Sequence, residues 1–111
     1  MKVIILKKEE FMRQIEGCKL PEAFDQHLLD NAAEMFSKWG KTTHMDEKEH
    51  LFESSGLASK SGDSDALKKE KKALRCVCEK MMEAKLNRND ASVIIKNFNK
   101  INDPEFEWVK E

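Results

Sequence analysis

From Phe24 to Trp39 the apolar side chains recur at steps of three and four: Phe24, Leu28, Ala32, Met35, Phe36 and Trp39. At about 100° per residue these positions gather on one face of an α-helix. A strand, which alternates every second residue, would scatter them over both sides. Pro21 suits a first helical position, where its missing N–H would have no partner, and Gly40 suits a left-handed C-terminal cap. The pattern predicts a helix over 21–39. A face of that size has to be covered by other elements, which makes the expected fold mainly helical.

Two further stretches carry the same rhythm. Leu67, Leu74 and Met81 stand seven apart, with Val77 and Ala84 between them, which predicts a long helix over about 65–87. Three heptads are too few for a coiled coil, so this reads as a core helix of a bundle. Asn87-Arg88-Asn89-Asp90 interrupts it, and Asn89 or Asp90 suits the N-cap of the next helix. That helix carries Ala91, Ile94, Ile95, Phe98 and Ile101 on one face and stops at Asn102-Asp103-Pro104. A short helix with Phe11, Met12 and Ile15 inward should end near Gly17. Another, over about 44–53, has Thr43 and Asp46 at capping-box spacing and a thin stripe of Met45, Leu51 and Phe52. Val3-Ile4-Ile5-Leu6 reads as a strand within 1–6, and Phe106 and Trp108 share one side of an extended segment. Residues 54–65 are small and polar, with Gly56 and Gly62, and are expected to form a flexible loop. The fold class expected is a compact bundle of four to five helices with two short terminal β-strands, a single helical domain over 1–111.

Composition narrows the function classes. The chain carries 20 Lys and Arg against 21 Asp and Glu, a net charge of −1, and 40% of its residues are apolar. That balance argues against wholesale disorder. The four apolar residues from Val3 to Leu6 fall short of the roughly 20 that span a bilayer and of the 7–15 in a signal-peptide core, roughly. Three cysteines, an odd number, are expected to be reduced thiols in a cytoplasmic protein.

Chemistry-bearing residues do not assemble into a site. Cys76 and Cys78 are two apart, so on a helix they point about 200° away from each other and cannot share an ion. Cys78 falls on the apolar face, as core, and Cys76 on the charged face, as a surface thiol. His44 and His50 are six apart, off the one-face spacing of helical metal ligands, and His27 lies on the polar side of its helix. Only a spatial meeting of Cys18 with His44 would offer a nucleophile. Asp46, Glu47 and Glu49 read as a solvated helix start. Gly62-Asp63-Ser64-Asp65 resembles the opening of a calcium loop but lacks the distant glutamate. No Gly-rich phosphate cradle is present. The expectation is no catalysis, no cofactor and no metal.

The charge layout points to a partner. Residues 21–56 hold 8 acids and 3 bases, whereas residues 60–100 hold 11 bases and 6 acids. On the long helix Lys68, Lys72 and Arg75 line one side, with Lys69 and Lys80 further round and Glu79 and Glu83 diluting the surface. A solvated face explains such a pattern, and so does a docking surface. Six methionines, including Met82 beside Leu86 at the edge of the stripe, add adaptable apolar surface, and Trp108 is a candidate anchor. The leading expectation is therefore a small protein–protein interaction module, an inhibitor, adaptor or regulator, with Lys68, Lys72, Arg75, Met82, Leu86 and Trp108 as interface candidates. Dimerisation through the long helix or a terminal strand is a subsidiary expectation. The alternative is a helix-turn-helix-like nucleic-acid binder, in which Arg88, Ser92, Lys96, Asn97 and Lys100 would contact phosphates and bases.

Overall fold

The computed structural model describes residues 8–39, 48–84, 88–104 and 106. Five helices follow in order: α1 (Lys8–Gln14), α2 (Gln26–Trp39), α3 (Lys48–Ser54), α4 (Asp65–Glu83) and α5 (Arg88–Lys96), with a 3₁₀ turn over Phe98–Lys100. The protein is mainly helical. Residues 1–6, 40–47 and 107–109, and with them the first expected strand, Gly40, Thr43, His44, Met45, Asp46 and Glu47, lie outside the described residues. No strand occurs among the described residues. Phe106, expected in an extended segment, instead donates its N–H to the carbonyl of Asp103 at 3.0 Å, closing a turn, and packs half-buried against the core.

Helix α2 begins at Gln26, five residues later than Pro21 suggests. The cause is a long-range contact. The Phe24 N–H donates to Asn99 Oδ1 and the Asn99 amide Nδ2 donates to the Phe24 carbonyl, both at 2.8 Å. With both backbone groups engaged across 75 positions, Phe24 takes no part in a helical ladder. Asp25 then acts as the N-cap: its carbonyl accepts from the Leu29 N–H at 3.1 Å and its carboxylate from the His27 N–H at 3.1 Å.

The same contact explains α5. It starts at Arg88, so Asn89 and Asp90 lie in its first turn and do not precede it as caps. It ends at Lys96, short of the expected Ile101, where the 3₁₀ turn carries Asn99 toward Phe24. Phe98 and Ile101 still reach the core. Phe98 meets Phe24 edge-on with centroids 5.3 Å apart, and Phe11 at 6.1 Å. Helices α2 and α5 run past each other in opposite senses. Small residues, Ala32 and Ala33 against Ala91 and Ser92, allow close approach, and the Ser92 hydroxyl donates to the Ala33 carbonyl at 3.1 Å. Gln26 Nε2 donates to the Lys96 carbonyl at 2.9 Å, near the C-terminal end of α5.

One contiguous core joins all five helices, with Phe11, Phe36, Phe52, Leu74 and Ile94 fully buried. Helix α3 ends in a Schellman motif. Gly56 takes φ +75°, its N–H bonds Glu53 O at 3.2 Å, and the Leu57 N–H bonds Phe52 O at 2.8 Å. That geometry brings Leu57 onto Phe52, and both are fully buried. The loop that follows is thus anchored in the core at its start. At its end the Ser64 hydroxyl accepts from the Leu67 N–H and caps α4.

Removal of the Asn99 amide leaves both polar groups of Phe24 unpaired. Asn99→Ala is expected to lower unfolding free energy by about 1–3 kcal/mol in urea titrations. Asn97→Ala, which loses only a bond from its amide to Val93 O in the last turn of α5, should lie within about 0.5 kcal/mol of the parent.

Candidate docking groove

Helix α4 presents two different faces. Leu67, Leu74, Val77, Cys78 and Met81 turn toward the core. Lys71 falls on this same stripe, three residues before Leu74 and four after Leu67, and is only 6% exposed. Its Nζ lies 2.8 Å from Asp63 Oδ2 and 3.4 Å from the Ala58 carbonyl. The Lys60 N–H donates to the same carboxylate oxygen at 2.9 Å. The Lys71 hydrogen bond and the Lys60 N–H hold the Asp63 carboxyl below its ordinary range. The loop carboxylate that resembles a calcium ligand therefore serves a lysine. A charge on an apolar stripe is the sequence signal for this pair, because a buried ammonium demands a partner.

The cysteines overturn one expectation. Cys18, in the turn after α1, is joined to Cys76 of α4 in a disulfide, with Cα atoms 5.8 Å apart and a sequence separation of 58. Cys76 is not a surface thiol, and the cytoplasmic assignment loses the reduced thiols on which it rested. The helical geometry that separates Cys76 from Cys78 still holds. Cys78 is fully buried and free, and burial, with a smaller contribution from Glu79, pushes its thiol well up from the ordinary range. In the chain-entropy picture, closing a loop of this length contributes about 4 kcal/mol.

Beside the disulfide lies a groove of about 730 Å³. One wall is the segment 17–21, with Leu20 36% exposed and Pro21 next to it. The other is a flank of α4, where the exposed Ala66, the buried Ala73 and the half-buried Cys76 are small enough to leave a trough. Lys19, Lys69 and Lys72 rim it, and Glu70 is the one acid among its lining residues. The chemistry on offer is apolar contact surrounded by excess positive charge.

Of the residues singled out from sequence, Lys72 lines this groove. Lys68 and Arg75 are partly buried elsewhere on α4, and the Arg75 Nε is buried without a hydrogen-bond partner. Met82 is 4% exposed and belongs to the core, so it offers no surface to a partner. Leu86 and Trp108 lie outside the described residues. In the alternative set, Arg88, Lys96 and Lys100 are exposed, while Ser92 bonds Ala33 and Asn97 bonds Val93. His27 and His50 are exposed. Among the described residues no three His, Cys, Asp or Glu side chains come together as metal ligands, and no helix is long and apolar enough to cross a membrane. Sequence reasoning missed Cys18, Lys19, Leu20 and Lys69 as one cluster. The disulfide joins Cys18 of this segment to α4, and no spacing along the chain announces it.

Comparison with protein-family models, with curated proteins and with solved structures gave no match.

Two measurements check this description. Under non-reducing denaturing conditions a thiol reagent should titrate one cysteine, Cys78, and should react far more slowly in the native protein. Asp63→Asn should lower the melting temperature more than Lys71→Met, because it leaves a buried ammonium without its counter-charge. A carboxyl held below its ordinary pKa stabilises the fold above that ordinary range and loses the effect as pH falls through its folded value. The gap between wild type and Asp63→Asn should therefore close in acid.

Proposed function

We propose that this chain is a protein-interaction module, without catalysis, that takes an acidic segment bearing a bulky apolar side chain into the groove between 17–21 and α4. The observation that carries the reading is the combination in one trough of an exposed Leu20 and three lysines against a single glutamate. Apolar contact near the disulfide would supply affinity, and the lysine rim would select acidic partners and speed their approach. An inhibitor, adaptor or regulator works through such a surface.

The nucleic-acid reading is less well supported. Ser92, Asn97 and Asn99 are engaged within the fold, so the hydrogen-bonding side chains that would read bases have partners already. What remains exposed there, Arg88, Lys96 and Lys100, are charges that could meet phosphates but carry little sequence information.

Amide chemical-shift titration with short peptides of Asp and Glu around one Leu or Phe tests the proposal. Shifts should map to Leu20, Ala66, Lys69, Ala73 and Cys76, and binding should weaken with salt. Leu20→Ala should weaken it by about tenfold, the cost of roughly 1.4 kcal/mol of lost burial, without altering the melting temperature by more than a degree or two, roughly. Lys69→Glu with Lys72→Glu should abolish it. Shifts confined to Arg88, Lys96 and Lys100 with a DNA duplex, and none with the peptides, would overturn the proposal. So would occupation of the groove by a second copy, seen as the same shifts appearing with protein concentration alone.

A further inference from the structure

The segment that forms the near wall of the groove is suspended. Ile15, 2% exposed, and Phe24, 4% exposed and clamped by Asn99, fix its two ends in the core. Between them Cys18 alone is partly buried, and residues 16, 17 and 19–23 are exposed. Among the described residues, 19–23 form no hydrogen bond or ion pair to α4. The Cys18 N–H turns back to Ile15 O at 3.1 Å, within the segment's own turn. The covalent attachment of this wall to α4 is the Cys18–Cys76 disulfide.

We propose that this disulfide is a redox latch on the docking groove: oxidised, it holds the wall against α4; reduced, it frees the wall and dismantles the groove while the helical core persists. The inference rests on the reading of the groove as a docking site. The step is a two-electron exchange with a dithiol. A thiolate of the reductant attacks one sulfur and forms a mixed disulfide, and its second thiol then closes the reductant's own disulfide. Cys18 and Cys76 leave as two thiols, having gained two electrons and two protons. A disulfide of the same class reverses it.

Three features suit the pair to this role. Both cysteines line the groove and are half-buried, not sealed in the core. Lys19, Lys69 and Lys72 line the same groove, a cationic surrounding that draws in an anionic thiolate reductant. Cys78, the one other cysteine, is sealed in the core on another face of α4, so it does not compete when the bond re-forms. The anchors that keep the rest together, the Asn99 clamp and the α2–α5 contact, are independent of the bond. Reduction also releases the unfolded chain, so the melting temperature falls.

Backbone ¹⁵N relaxation on the intact protein, before and after dithiothreitol, reads the latch without any peptide. In the oxidised form order parameters over 18–23 should be near those of the helices, about 0.85, and on reduction they should drop below about 0.6 while α2 and α5 keep their values. Cys18→Ser with Cys76→Ser should reproduce the reduced state in the absence of reductant. Unchanged order after reduction would overturn the latch. So would a segment already mobile when oxidised, or loss of amide dispersion across α2 and α5, which would make the bond a staple of the whole fold. The acidic peptides give the second arm: affinity should fall about tenfold or more on reduction. Equal affinity in both forms overturns the latch. Failure of the oxidised protein to bind peptide overturns the docking reading, and the relaxation data still decide whether the wall is released.

Discussion

One side-chain amide joins the chain entering α2 to the chain leaving α5. Asn99 offers a donor and an acceptor at the spacing of a backbone peptide, and Phe24 presents the matching pair. The contact delays the start of α2, ends the helical path beyond α5 in a 3₁₀ turn, and seats Phe98 between Phe11 and Phe24. It also pins Phe24, so the chain between the buried Ile15 and Phe24 is fixed at both ends. Between those ends, 17–21 stands off from α4 as the wall of a groove.

Helix α4 joins the interior to the surface. Its inner stripe is apolar except for Lys71, whose charge is matched by Asp63 and whose remaining donor capacity reaches Ala58. This pair draws the end of the 55–64 loop onto the helix, as Leu57 draws in its beginning. On the flank beside the core stripe, Ala66 and the buried Ala73 withhold volume where larger residues would fill the trough, and Lys69 and Lys72 supply its charge. The two faces follow from one 3.6-residue period, with large residues on one side and small or charged ones on the other.

The proposed function follows from that flank and from what the rest of the surface offers. A groove that is apolar within and cationic at its edge suits acidic segments with a single anchoring side chain, which is a common way for a small module to engage a larger protein. Placing a disulfide in the same trough links the surface to the thiol balance around it. The basic residues near α5 lack a comparable arrangement, because the neutral polar side chains there stabilise helix ends and interhelical contact.

Much of the fold was legible along the chain because helices announce themselves locally. The stripes of α2 and α4, the buried identity of Cys78, and the inward run of Ala91, Ile94 and Ile95 all follow from periodicity, which depends only on near neighbours. The boundaries of α2 and α5 were not legible, since Asn99 and Phe24 meet across 75 positions and override what Pro21 suggests. Lys71 left a trace, a cation on a greasy stripe, but its partner could be any acid brought near. Met82 illustrates the limit of stripe-edge reasoning: its position beside the core face was readable, its burial depended on what packed over it. By itself the sequence determined which side chains each helix turns inward. Tertiary structure alone decided that Cys18 meets Cys76 and that a lysine-rimmed groove opens beside them, because a pairing 58 residues apart depends on how the helices stack and leaves no period in the chain.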